Sequence, residues 1–91
     1  MAKYKYSDKI EKIWEKASFC SCGNDDCSPN NHRLCGICLE KMLYGSHESV
    51  IEQRNSLYAW NIDHILSKSR GGDNSINNLQ AVHINCNRSK N

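Results

Sequence analysis

Apolar residues recur near the start of the chain at Ile10, Ile13, Trp14 and Ala17, the i, i+3, i+4, i+7 spacing of one helical face. Lys9, Glu11, Lys12, Glu15 and Lys16 occupy the other faces. Ser7 ahead of Asp8 offers a capping hydroxyl followed by an acid at the positive end of the helix dipole. The pattern predicts an amphipathic helix over Asp8 to Ala17 with Trp14 on its core side. Before it, Tyr4 to Tyr6 alternate Lys and Tyr and read as a frayed arm. After it the periodicity stops. Ser18 to Asn31, SFCSCGNDDCSPNN, is turn chemistry carrying three cysteines and the only proline, Pro29. Leu39 to Tyr44 fits period 2 and period 3.6 equally, so its type stays open until Gly45 ends it. A short helix is expected around Ser49 to Arg54, with His47 facing solvent.

Leu57 to Ile65 alternates again, which predicts a strand whose Tyr58, Trp60 and Ile62 share the core face. An unbroken strand sends Asp63 and His64 to opposite faces. For both to serve one site, the strand is expected to end or kink between them, with Ile65 and Leu66 tucked inward. The polar loop SKSRGGDNS leads to Asn78, a second strand over Leu79 to Val82, and a last helix from His83 or Ile84. The order is that of a small α+β fold. One domain is expected over 1–91: an arm and helix (1–17), a Cys-rich, loop-rich middle (18–45), and a strand–loop–strand–helix core (57–91).

Size makes the cysteines matter. A chain of 91 residues, 38% of them hydrophobic, buries only about 65% of its unfolded surface, so cross-links are needed to support the core. Six cysteines and four histidines can supply them. The first residues, MAKYKYSDK, lack the apolar stretch of a signal peptide, and no run approaches the ~20 apolar residues of a membrane span. These features predict a cytoplasmic protein whose thiols stay reduced and bind metal rather than pair as disulfides. Cys35-Gly36-Ile37-Cys38 is a knuckle that aims two thiolates at one tetrahedral ion, and His83-x-x-Cys86 has the complementary spacing. The four together predict a structural Zn²⁺. Cys20, Cys22, Cys27 and His32 form a candidate second zinc site of less regular spacing; the alternative is free thiols or a share in one site.

The remaining chemistry gathers near the C-terminus. Net charge is only +2, but from Ser67 to Asn91 Lys68, Arg70, Arg88 and Lys90 face a single acid, Asp73. Such a local excess can grip a phosphate backbone. Asp63 and Asn87 offer oxygen ligands to a hard divalent cation, Mg²⁺ or Mn²⁺, and leave positions for water and phosphate. His64 is the candidate general base, since a neutral imidazole can take the proton of an attacking water. Asn78 has an amide able to bridge backbone groups across the loop and hold the His64 segment in place. On a helix Cys86 and Asn87 diverge by about 100°, so one can face zinc while the other faces a groove. Asn87 and Lys90, at i and i+3, share a stripe.

Asp63-His64-Ile65, Gly71-Gly72, Asn78-Leu79-Gln80 and Asn87-x-x-Lys90 come in the order and spacing of a known pattern. The segment resembles the HNH endonuclease family, the ββα-metal or His-Me finger nucleases. Ile13 to Ala17, Tyr44-Gly45 and Trp60-Asn61-Ile62 are similar to a bacterial and phage branch of it. The resemblance implies a ββα-metal fold and an endonuclease that hydrolyses phosphodiester bonds in DNA to 5′-phosphate and 3′-hydroxyl ends. It also implies that His64 is the base and Asn78 the family's middle Asn. Some members use a His four positions before the last ligand on the catalytic metal, which is where His83 stands relative to Asn87; zinc has the stronger claim, because three cysteines need a fourth ligand. The chemistry admits RNA as well as DNA, and specificity would come from a protein partner, from dimerisation, or be low. The competing reading is a non-catalytic zinc module that binds nucleic acid or protein. That module would not require Asp63, His64 and Asn87 in register with the zinc pair.

Overall fold

A computed structural model describes residues 6–25, 27–50 and 57–90, the side chain of Lys90 excepted. Helix α1 spans Asp8–Lys16, and the Ser7 hydroxyl accepts from the Ile10 N–H at 3.3 Å. It ends one residue earlier than its apolar stripe because Ala17 takes extended backbone (ψ 153°). Strand β1 (His32–Leu34) pairs antiparallel with β2 (Lys41–Leu43), which settles the open type of that segment as a strand followed by a short 3₁₀ turn over Tyr44–Ser46. Strand β3 (Trp60–His64) pairs antiparallel with β4 (Leu79–His83), and helix α2 (Ile84–Lys90) follows β4 directly and packs against both strands. The chain is thus an α+β fold with two small sheets, and β3, its loop, β4 and α2 form a ββα unit. Among the described residues no helix is long and apolar enough to cross a membrane.

The core lies between α1 and the β3–β4 sheet. Ile13 and Trp60 are wholly buried and Trp14 nearly so, with the two indole rings 4.9 Å apart. The indole N–H groups, costly to bury unpaired, donate to backbone carbonyls: Trp14 to Pro29 at 2.9 Å and Trp60 to Tyr44 at 3.2 Å. Lys16 lays its ammonium over the carbonyls of Ile76 (2.5 Å) and Leu79 (2.7 Å), which ties the end of α1 to the start of β4. Arg33 is buried and donates to the Glu15 and Ala17 carbonyls at 2.9 and 3.0 Å, so it closes the open C-terminal end of α1.

Four local expectations are corrected by tertiary packing. Tyr6 is core rather than frayed arm: it is buried and its hydroxyl donates to the Tyr44 carbonyl at 2.8 Å. His47 is 5% exposed rather than solvent-facing, with its ring edge-on to Trp60 at 4.6 Å. Burial pushes its pKa down, which favours the neutral ring. Tyr58 lies outside the β3–β4 ladder, so the strand's alternation does not bury it; it is exposed and receives the Lys41 ammonium over its ring. Ile65 and Leu66 are 53% and 47% exposed rather than tucked inward, because the chain leaves the sheet at His64 to enter the loop. Of the helix expected over Ser49 to Arg54, residues 51–56 lie outside the described part, and residues 48–50 form a turn. Tyr4 and Lys5 are likewise outside it.

Candidate metal centres and active-site groove

The knuckle, the end of β4 and the first turn of α2 converge. The ligand atoms of Cys35, Cys38, His83 and Cys86 all lie within 4.8 Å of one another. The donors of a tetrahedral zinc sit roughly 3.3–3.8 Å apart, as implied by bond lengths near 2.0–2.3 Å. His83 Nδ1 is 3.3 Å from Cys38 Sγ and 3.8 Å from Cys86 Sγ. Its other nitrogen, Nε2, lies 2.7 Å from the Lys41 carbonyl oxygen, an arrangement that fixes the ring and leaves Nδ1 for a metal. Nδ1 is therefore engaged by the cysteines and Nε2 by the β2 backbone.

The thiols themselves show the chemistry of the set. Burial pushes the Cys35 thiol up, but backbone N–H groups of Cys38, His83 and Ile37 outweigh it and hold the group below the usual thiol range. Two of those bonds, from Ile37 and His83, are 3.3 Å long. Cys86 goes the other way, pushed up to about 12 by burial and by the neighbouring Cys38 and Cys35 sulfurs. Crowded thiolates repel one another, and a divalent cation at their centre removes that repulsion. The donor set fits zinc. Leu39 takes a left-handed φ of 61° where the chain turns from the knuckle towards β2, with its N–H on the Cys35 carbonyl at 3.0 Å. That backbone costs about 1–2 kcal/mol.

The second cluster is of the same kind. Cys20, Cys22, Cys27 and His32 also place their ligand atoms within 4.8 Å of one another, with Cys22 Sγ 3.6 Å from His32 Nδ1. The Asn24 backbone N–H, with help from Cys27, His32 and Cys20, lowers Cys22 to about 6 despite some desolvation. This set fits zinc too, and it gathers an otherwise irregular segment onto β1.

Asp63, His64, Ser67, Lys68 and Asn87 line one groove of about 370 Å³ at the C-terminal end of β3. Contrary to the expectation from the sequence, the strand neither ends nor breaks between Asp63 and His64. Both stay in the ladder, opposite Gln80 and Leu79, and both border the groove that lies beyond the strand's end. Asp63 is buried, and its Oδ2 accepts from Gln80 Nε2 at 3.0 Å. Asn87 reaches the groove from α2; its Nδ2 donates to Asn61 Oδ1 at 3.1 Å, which turns its oxygen the other way. One carboxylate and one amide oxygen make the hard donor set that Mg²⁺ or Mn²⁺ takes. Lys68 borders the groove, Arg70 is exposed on the same 3₁₀ turn (Lys68–Arg70), and Arg88 is exposed on α2. The side chain of Lys90 lies outside the described part.

Asn78 closes the loop over Ile65 to Asn77. Its Nδ2 donates to the carbonyls of Leu66 (3.0 Å) and Asp73 (2.8 Å), and its Oδ1 accepts from the Leu66 N–H at 2.8 Å. Its backbone carbonyl accepts from Ile65 at 2.8 Å. The Asn78 side chain is spent on the loop backbone. The His64 ring is met by Asn74, whose Oδ1 lies 2.8 Å from Nε2. Sequence reasoning missed Asn74, because a polar residue ten positions away in a loop gives no signal of where the loop folds back. Gly72 fits under this closure only without a side chain: a Cβ there would overlap the Leu66 carbonyl and press on Asn78 Nδ2. Gly72→Ala should therefore open the loop and speed hydrogen exchange at Leu66 while leaving the zinc content unchanged. Unaltered protection at Leu66 would refute that account.

The HNH endonuclease family model matches residues 35–91, from the knuckle through α2. The Cys20–His32 cluster lies ahead of the matched segment. No curated protein and no solved structure matched the chain. The match covers more than half of the residues and takes in both the knuckle and the groove, and on that ground the chain belongs to the HNH endonuclease family.

Proposed function

We propose that the protein is a metal-dependent endonuclease that hydrolyses phosphodiester bonds in DNA at the Asp63–His64–Asn87 groove. The observation that carries this reading is that one groove collects an imidazole, two oxygen ligands and a lysine. These are the parts that water activation, cation binding and phosphate binding need. A Mg²⁺ or Mn²⁺ ion held by Asp63 and Asn87 would supply charge neutralisation at the phosphate and the departing oxygen. His64 takes up the proton of the attacking water, its ring steadied by Asn74 at Nε2. Asn78 acts at one remove: by closing the loop it fixes the backbone that follows His64 and carries Lys68. Lys68, Arg70, Arg88 and Lys90 hold the nucleic-acid backbone by charge. Cys35, Cys38, His83 and Cys86 would hold a structural zinc, and Cys20, Cys22, Cys27 and His32 a second.

The test is nicking of supercoiled plasmid by the zinc-loaded protein with added Mg²⁺ or Mn²⁺. Cleavage should depend on the added ion. Asp63→Ala and Asn87→Ala should each lower the rate on the order of 10²–10³-fold, the several kcal/mol a Lewis-acid cation contributes. Raising Mn²⁺ should recover part of the activity. Full activity of both variants would remove them from the cation site, and no nicking by the wild-type protein would favour the non-catalytic zinc module.

A further inference from the structure

Gln80 stands directly across the β3–β4 ladder from Asp63 and donates Nε2–H to Asp63 Oδ2 at 3.0 Å. The other side of the same amide is walled by the knuckle. A Cβ built on Gly36 would overlap Gln80 Oε1, come within 2.9 Å of Gln80 Cδ, and lie 3.4 Å from the Ala81 carbonyl. Gly36 is itself pinned to β4, its N–H donating to that carbonyl at 3.0 Å. It sits inside the Cys35–Cys38 knuckle, so the position of its backbone follows from the metal cluster. A glutamine on a sheet surface ordinarily samples many rotamers. Here the hydrogen bond to Asp63 and the contact with Gly36 hold it in the observed one.

We infer that Gln80 is a positioning residue, a side-chain wedge through which the Cys35–Cys38 knuckle sets the orientation of the Asp63 carboxylate for its cation. This inference rests on the reading of Asp63 as a ligand of the catalytic ion. Gln80 does not touch the substrate or the ion. It holds the ligand as outer partners of metal ligands do, and loss of such partners typically weakens affinity about 10–100-fold. It also explains why the knuckle has glycine at 36. With φ outside the left-handed region, alanine would suit that backbone, and what its Cβ would displace is the glutamine amide, which would have to swing away from Asp63.

The test is Mn²⁺ affinity of the zinc-loaded protein, measured by electron paramagnetic resonance, with zinc content and melting temperature as fold controls. Gln80→Ala should bind Mn²⁺ about 10–100-fold more weakly with both zinc sites filled. Gln80→Met, which keeps the bulk and lacks the donor, should show the same loss and serves if the alanine variant folds poorly. Gly36→Ala should weaken Mn²⁺ binding when Gln80 is present and have no further effect in the Gln80→Ala background, because the atom it collides with is gone. Wild-type Mn²⁺ affinity in folded Gln80→Ala or Gln80→Met would overturn the inference. An equal penalty from Gly36→Ala in both backgrounds would overturn the link to the knuckle. Asp63→Ala separates the two readings: if it binds Mn²⁺ as the wild type does, the ligand assignment fails, whereas a loss there alone leaves that assignment standing and removes only Gln80.

Discussion

His64→Ala should abolish measurable nicking while leaving melting temperature and zinc content at their wild-type values. General acid–base catalysis contributes about 10²–10⁴-fold, so the variant should fall by at least that factor at saturating Mg²⁺. The separation of activity from stability follows from where the residue sits. His64 closes the β3–β4 ladder through its backbone, opposite Leu79, and alanine keeps that pairing. Its side chain is half-buried at the groove and meets Asn74 of the flanking loop, not the Trp14–Trp60 core. Truncation therefore leaves no cavity in that core. Asn74→Ala should show a milder loss, since it removes a contact that steadies the ring without removing the ring. Wild-type nicking by His64→Ala would exclude the imidazole from the chemistry, whatever else the groove does.

The parts of this arrangement that were legible in the sequence are those governed by local spacing. The stripe Ile10, Ile13, Trp14 and Ala17 located α1 to within a residue, because helical period and capping act over a few neighbours. The Cys-x-x-Cys and His-x-x-Cys pairs indicated which four side chains come together, because a knuckle and a helical turn each fix two donors at once. What the sequence hid depends on distant neighbours. Tyr6 and His47 carry polar groups that local reading assigns to solvent, and both are covered by the rings of Trp60 and its surroundings. Tyr58 kept the alternation of β3 but lay outside its ladder, so periodicity overran the hydrogen bonds that define the strand. The relation of Asp63 to His64 was misjudged for a related reason. Two adjacent strand residues need no kink to share a groove when the groove lies at the end of the strand. Asn74 and Gln80 act through loop closure and strand register, and neither leaves a local signature.

Cys38→Ser should unfold the domain or sharply lower its melting temperature. Cys35, Cys38, His83 and Cys86 join segments about fifty residues apart, and a structural zinc is worth about 10–16 kcal/mol in apparent binding energy. The whole net stability of an ordinary domain is about 5–15 kcal/mol. Each kcal/mol lost shifts the melting temperature of a domain this small by about 4–8 °C. A serine hydroxyl is a poor zinc ligand beside two thiols, so the variant should either fail to fold or melt far below the wild type, with one zinc fewer per chain. Asp63→Ala should keep its zinc and change the melting temperature little, because a weakly held hard cation at the groove does not bridge distant segments. Cys22→Ser provides the internal comparison. It should also lose one zinc but cost less stability, since Cys20 to His32 closes only a short loop, and the closure entropy grows with loop length. Retention of the wild-type melting temperature and both zinc ions in Cys38→Ser would sink the structural-zinc account. Stability would then have to come from the packing of Trp14 against Trp60 and from the Lys16 and Arg33 side chains that tie α1 to the carbonyls around it.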